Sequence, residues 1–381
     1  MGGSSGFQFN DYDNWNSNSN VSSHLCLKRI AIAGPATWQK ITEHSRGKAL
    51  VIDTDEGDLQ KSKADMKRIG NLYEQIVSLK NLQLADEKAQ KGKSSQYGVV
   101  LHNAKRESNL LVLQDLLATK TFKTSQYDIF TIHEPKERIV YRLPYFPDRI
   151  THHAIMNVLE PLFVSSFTAD TYSCIKKRGI HKLLRNLTND LKNVSGTQYC
   201  LKFDIKKFYP SIDHDVLKTL LRRKFKDPDL LWLLDEIIDS APGLPIGNYL
   251  SQYLANFYLS YFDHWLKETL RVRYYYRYAD DIVILDSDKS RLHLLLTQIK
   301  AHLAGLNLEV KENHQVFPVS ARGIDFVGYV FYHTHVKIRK QIKQNFARKM
   351  KANPNDVSKH SYLGWLSHCN ARHLTKKLLS Q

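Results

Sequence analysis

Between residues 274 and 285 the apolar positions run together instead of alternating: Tyr274, Tyr275, Tyr276 and Tyr278, then Ile282, Val283, Ile284 and Leu285, with Ala279-Asp280-Asp281 between the runs. Aromatic and β-branched residues fit a pleated surface, so this pattern predicts two strands joined as a hairpin with an acidic tip. Cys200 to Ile212 contains a further strand, with Asp204 in its apolar run and basic and aromatic residues directly after it. Elsewhere the period is helical. Ile69, Leu72, Tyr73, Ile76, Leu79 and Leu82 recur at three and four and predict one helix from Met66. Further helices are expected near Asn109–Leu117, from Ile150, over His181–Leu191, from Leu244 to about Leu270 and over Leu292–Leu303. Phe130–His133 and Arg138–Pro144 read as a hairpin around Glu134-Pro135-Lys136-Glu137, and Ile324–Tyr329 as a strand and turn. The predicted class is α+β.

Composition narrows the choice of partner. The 381 residues carry a formal net charge of +17, which suits a polyanion, most often nucleic acid. No apolar run reaches membrane-spanning length, and Cys26, Cys174, Cys200 and Cys369 are too scattered for zinc or disulfides, which fits a reducing compartment. Residues 1–29 are rich in Gly, Ser and Asn and read as an unstructured tail; residues 30–65 read as a linker or small cap. Lys88, Lys91 and Lys93 form either a solvated face or a phosphate track.

The acidic residues carry the candidate chemistry. Asp280 and Asp281 repel each other, and burying them without a partner is costly. A solvated Asp-Asp turn is one reading, but so apolar a hairpin is expected to be buried with its tip facing a cleft. With Asp204 on a neighbouring strand, the three carboxylates suit two divalent cations roughly 3.5–4 Å apart, an arrangement that serves phosphoryl transfer. Arg138 and Arg142 can share one strand face, exposed to solvent or holding a triphosphate. The basic, Gly-containing turn Tyr172–Gly179 before a helix suits phosphate.

Phe203-Asp204-Ile205-Lys206-Lys207-Phe208-Tyr209 and Tyr278-Ala279-Asp280-Asp281 resemble the two catalytic motifs of reverse transcriptases, and the resemblance runs from about residue 66 to about residue 340. It implies a right-hand polymerase fold: fingers with the start of the palm over 66–200, an antiparallel-sheet palm over 201–336 and a short basic helical thumb over 337–381. It implies two Mg²⁺ ions, with Mn²⁺ as a substitute, held by Asp204, Asp280, Asp281 and the Ile205 backbone. Arg138, Arg142, Tyr209, Ile246, Gly247 and Gln252 would contact the nucleotide, Tyr209 as a gate against a 2′-hydroxyl. Arg178, Gly179, Phe326 and Gly328 would contact template and primer. The family's general-acid lysine falls by rough register on His314, with Lys311 near.

Ile246-Gly247 stands where most of the family has Gln-Gly, and Ile-Gly-x-x-x-Ser-Gln resembles the reverse transcriptases of diversity-generating retroelements. That resemblance implies cytoplasmic action in a bacterial or phage-infected cell and error-prone, adenine-mutagenised cDNA for diversification of a target gene. The implied partners are template RNA, cDNA, deoxynucleoside triphosphates and a small basic accessory variability protein, with no membrane. Phe7 to Leu27 resembles the variable end of a diversified protein. The alternatives are a retron, group II intron-like or phage-defence reverse transcriptase, or an RNA-binding protein with a vestigial polymerase site.

Overall fold

The computed structural model describes residues 68–133, 137–352 and 356–379. The Asn-rich stretch and linker assigned to 1–65, and the turn residues 134–136, lie outside the described residues. The stretch predicted as one helix is two, α1 (Tyr73–Val77) and α2 (Leu79–Gln90). Its apolar face is buried as expected at Leu72, Tyr73, Ile76 and Leu82. The break falls at Ser78, whose backbone leaves the helical region (ψ 134°) and whose hydroxyl accepts from the Asn81 N–H, capping α2. Ile69 is not helical but bridges to Phe225.

Helices α3 (Tyr97–Asn103) and α4 (Arg106–Ala118) lead into the hairpin of β1 (Asp128–Ile132) and β2 (Arg138–Arg142), with Phe130 opposite Val140. Next come α5 (Ile150–Ser165), with eight buried residues, and α6 (Gly179–Asp190). The chain then enters β3 (Tyr199–Asp204), α7 (His214–Lys224), α8 (Pro228–Ile238), α9 (Tyr249–Tyr258) and α10 (Ser260–His264). The long helix expected from Leu244 therefore begins at Tyr249, after a loop, and is broken near Leu259. β4 (Tyr274–Tyr278), β5 (Asp281–Asp286), α11 (Lys289–Ala304) and β6 (Gln315–Pro318) follow.

The four-stranded sheet has the order β4-β5-β3-β6 and is antiparallel throughout. Both faces are covered, which explains why its strands read as unbroken apolar runs. Leu201, Phe203, Ile282 and Ile284 join a core with α5, α9 and α11. Cys200, Val283 and Leu285 join a second core with Leu183 and Leu187 of α6 and with Phe326 and Tyr329. These last two belong to a separate antiparallel sheet of β7 (Ile324–Phe326), β8 (Tyr329–Phe331) and β9 (Val336–Ile338).

Lys337, expected to open a helical tail, lies in β9; the tail begins with α12 (Lys340–Ala352), then α13 (Asp356–Leu366) and α14 (Arg372–Leu379). The tail is fastened to this sheet. Tyr329 donates its hydroxyl to the Trp365 carbonyl at 3.0 Å, and Asn370 donates its backbone N–H to the Val336 carbonyl at 2.8 Å. Among the described residues no helix is long and apolar enough to cross a membrane.

Candidate active site

The pairing of β3 with β5 sets Asp204 directly opposite Asp281. Opposed residues of an antiparallel pair project to the same side of the sheet. Asp280 occupies the hairpin turn, and its carbonyl accepts from the Ile205 N–H at 3.3 Å. The three aspartates therefore meet at one end of the sheet, as their motifs predict. Asp204 and Asp281 are buried, 6% and 3% exposed, and in each one oxygen (Oδ1) has no hydrogen-bond partner. An unsatisfied buried carboxylate oxygen is costly.

The electrostatics record that cost. Burial, then the Lys202 charge working against it, then repulsion from Asp204 and Asp280, leave Asp281 with a pKa of about 8. Burial and the Asp204 charge raise Asp280 to about 6, against the pull of Lys311 and Arg138. Two ammonium groups attend the cluster: Lys202 Nζ lies 3.4 Å from Asp281 Oδ2, and Lys311 Nζ 3.4 Å from Asp204 Oδ2. Among the described residues no three metal-ligating side chains are closed into a ready cage. The fit to a divalent cation rests instead on the two orphaned oxygens and on three carboxylates facing only two lysines. A hard cation takes carboxylate oxygens and removes their repulsion.

Lys202 was not expected from the sequence. Besides Asp281 it reaches the Asp325 carbonyl and lies 5.8 Å over the Phe326 ring, tying the acidic cluster to β7. The available signal was a lysine inside an apolar strand, two residues before Asp204 and so on the same strand face. Of the two general-acid candidates, Lys311 reaches the cluster. His314 Nδ1 lies 2.9 Å from the Lys311 carbonyl and its Nε2 lies 3.3 Å from Lys300 Nζ.

The predicted nucleotide contacts converge through backbone hydrogen bonds. Leu244 N–H donates to the Tyr209 carbonyl, and Tyr141 N–H of β2 donates to the Ile246 carbonyl, each at 2.9 Å. The Tyr209 turn, the 244–247 loop and the strand of Arg138 and Arg142 thus form one connected ridge. Tyr209 and Ile246 are half-buried, while Phe208 is a core aromatic, as expected. Gly247 has φ +120°, and a Cβ there would lie 2.7 Å from the Tyr141 carbonyl. Tyr127 fixes the same loop, its hydroxyl accepting from Asn248 Nδ2 at 3.0 Å. Arg142 is paired with Asp128 and stacks 5.4 Å over Phe130. Gln252 is half-buried in α9.

Of the template–primer candidates the structure corrects one, Phe326, and leaves Arg178 half-buried at its own turn. Arg178 donates Nη1 to the carbonyls of Thr168 (2.6 Å) and Thr171 (3.3 Å), so part of its guanidinium braces its own turn. Phe326 is fully buried because its strand alternation turns the ring into the second core; the side chain is not available to a primer. Gly179 (φ +81°) opens α6 with open space where a Cβ would stand. Gly328 (φ +88°) forms the β7–β8 turn, and a Cβ there would overlap the Trp365 ring.

Residues 133–331 match the family described as reverse transcriptase (RNA-dependent DNA polymerase). Protein YkfC of Escherichia coli is 22% identical over 264 residues, 57% of this chain and 68% of that protein. The retron Ec73 reverse transcriptase of Escherichia coli is 32% identical over 167 residues, 40% of this chain and 51% of that one. A structure of apo telomerase from Candida tropicalis aligns with 60% of this chain and 52% of its own, at 14% identity and a TM-score of 0.45. The chain therefore spans about two thirds of the first relative and about half of the other two.

Proposed function

Because the chain belongs to the reverse transcriptase (RNA-dependent DNA polymerase) family, we propose that it copies a template-repeat RNA into cDNA with errors at adenines, as the polymerase of a diversity-generating retroelement. The fold is the family's right hand, and we assign fingers to 66–200, palm to 201–336 and thumb to 337–381. Asp204, Asp280, Asp281 and the Ile205 carbonyl are the residues that would hold Mg²⁺ or Mn²⁺, which when bound activates the primer 3′-hydroxyl and screens the triphosphate. Lys311 stands ready to give a proton to the leaving pyrophosphate. Arg138 and Arg142 take the triphosphate, and Tyr209 excludes a 2′-hydroxyl. The enzyme would act in the cytoplasm of a bacterial or phage-infected cell with a small basic accessory protein.

The observation that carries the mutagenic reading is Ile246. Its backbone is held by β2, as a nucleotide-contacting loop needs, but its side chain cannot hydrogen-bond where the family resemblance implies a glutamine. A site that lacks a polar positioning contact loses discrimination between right and wrong pairs. The 32% identity to the retron Ec73 reverse transcriptase supports a second reading, a retron-like enzyme of ordinary fidelity.

Primer extension on a defined RNA with all four deoxynucleotides, followed by product sequencing, separates these readings. Errors concentrated opposite adenine, and reduced in Ile246→Gln, are expected. Uniformly faithful synthesis would move the assignment to the retron-like reading. No synthesis by the wild type, with cognate RNA supplied, would remove polymerase activity altogether.

A further inference from the structure

The tip of the catalytic hairpin is held in an unfavourable conformation from both sides. Ala279 has φ +54°, a left-handed backbone that residues with a Cβ seldom adopt. Its N–H donates to Ser173 Oγ at 2.9 Å, and its carbonyl accepts from Arg277 Nη1 at 3.2 Å. Both polar groups of this one residue are thus taken by side chains, and the next residue is Asp280.

The side chains that do this are themselves fixed by a buried network. Arg277 is fully buried and forms a two-pronged pair with Asp263 of α10: Nε donates to Oδ1 at 2.8 Å and Nη2 to Oδ2 at 2.6 Å. Its Nη1 also donates to Asn256 Oδ1 of α9 at 2.9 Å. Asn256 in turn donates Nδ2 to the Ser173 carbonyl at 3.0 Å. Thr171 and Tyr275 donate their hydroxyls to Asp263 at 2.9 and 2.6 Å. Residues 170–172 run beside β4, Arg277 N–H donating to the Asp170 carbonyl and Tyr172 N–H to the Arg277 carbonyl, each at 3.0 Å. A buried ion pair is weak as a source of net stability compared with apolar packing of the same volume. What this one supplies is direction: the second Nη1 N–H of its guanidinium points to the Ala279 carbonyl.

We propose that Ser173 and the Arg277–Asp263 pair are positioning residues that hold Ala279 in the left-handed conformation and thereby aim the Asp280 carboxylate at Asp204. The inference rests on the reading of Asp280 as a metal-binding residue of a polymerase. Ala279 lies between the pinned strand β4 and the Asp280 carbonyl, which is bonded to Ile205. Its torsion therefore decides which way the Asp280 side chain leaves the turn. Without the clamp, the cheapest relaxation of the tip is a return to negative φ.

The test is a double-mutant cycle of Ser173→Ala and Ala279→Gly, because glycine adopts positive φ without a clamp. Ser173→Ala is expected to slow primer extension about 10- to 100-fold, as a slightly misplaced catalytic group does, with template–primer affinity unchanged and a fall in melting temperature that leaves the protein folded at the assay temperature. It is also expected to raise the Mn²⁺ concentration that half-saturates the thermal shift of the protein without substrates. Ala279→Gly in the Ser173→Ala background is expected to recover part of both losses. Strictly additive effects, a Mn²⁺ midpoint equal to wild type, or a rate loss accounted for by unfolding at the assay temperature would each overturn the proposal. A wild type that shifts with Mn²⁺ in a Ser173-dependent way but makes no DNA would sink the polymerase reading and leave the clamp standing. A wild type that polymerises while Ser173→Ala matches it would sink the clamp alone.

Discussion

Lys311 Nζ lies 3.4 Å from Asp204 Oδ2, while its backbone N–H donates to the Asp204 carbonyl at 2.9 Å. One residue thus clips its loop to the end of β3 and places an ammonium at the acidic cluster. His314 faces away, toward Lys300 and the Lys311 carbonyl. Lys311→Ala is expected to lower the single-turnover rate about 10²-fold, in the range of a lost general acid. His314→Ala is expected to leave that rate close to wild type, since its ring meets Lys300 and the Lys311 carbonyl and not the acidic cluster. The two variants in the same pre-steady-state assay check the assignment; equal losses would contradict it.

Asp281 and Asp280 make stability depend on pH in a definite sense. Their folded pKa values, about 8 and about 6, lie above the 3.8 of an ordinary aspartate. Between those limits the folded state holds more protons than the unfolded one, so raising the pH costs stability. The contribution is complete below pH 3.8 and is lost as the pH passes about 8. In chelator, the melting temperature is expected to fall by several degrees between about pH 5 and about pH 8.5. Asp281→Asn, which cannot ionise, should flatten most of that slope and raise the melting temperature at the alkaline end. Melting curves across the series decide it.

Arg142 is half-committed before any nucleotide arrives. Its partner Asp128 and Arg142 itself are both 58% exposed, so their ion pair is worth at most about 1 kcal/mol. If Arg142 serves the triphosphate, that pair competes with the substrate. Asp128→Asn should then lower the KM for deoxynucleotides by up to about fivefold, the equivalent of 1 kcal/mol. Arg142→Ala should raise it with little change in kcat. A KM unmoved by either variant would remove Arg142 from the nucleotide site.

What was legible in the sequence was whatever a local pattern determines. The acidic hairpin and the Asp204 strand could be read because both faces of their sheet are buried, leaving apolar runs broken only at functional positions. The break at Ser78 could not be read, since the apolar face continues through it and only a cap interrupts the backbone. The choice between Lys311 and His314 depends on how a loop folds against β3, which no periodicity encodes. Phe326 was misplaced for the same reason: its motif suggests a contact, but the alternation of a three-residue strand turns the ring into the core. Arg277 was hidden in plain view. A charge amid four tyrosines is conspicuous, but its partner Asp263 comes from a separate element, α10.

Gly247 brings the 244–247 loop hard against β2. Its φ of +120° is open to glycine and strained for any other residue, and a Cβ there would lie 2.7 Å from the Tyr141 carbonyl and 3.3 Å from Val140 Cγ1. The carbonyl belongs to β2 and cannot yield as a side chain would. Gly247→Ala must therefore push β2 off the loop and stretch the 2.9 Å bond from Tyr141 N–H to the Ile246 carbonyl. Arg138 and Arg142 move with β2, and Ile246 moves with the loop. The expected result is a rise of about tenfold or more in the KM for deoxynucleotides, since a displacement near 1 Å can cost as much as 10²-fold. Affinity for template RNA should be unchanged. Gly364→Ala is the control: that glycine lies within α13 with nothing within 4 Å of its Cβ, so the change should be neutral or stabilise by up to about 1 kcal/mol. Because both variants add the same methyl group, a loss confined to Gly247→Ala would locate the cost in the contact between β2 and the loop. Equal behaviour of the two would mean that this contact does not set the nucleotide site.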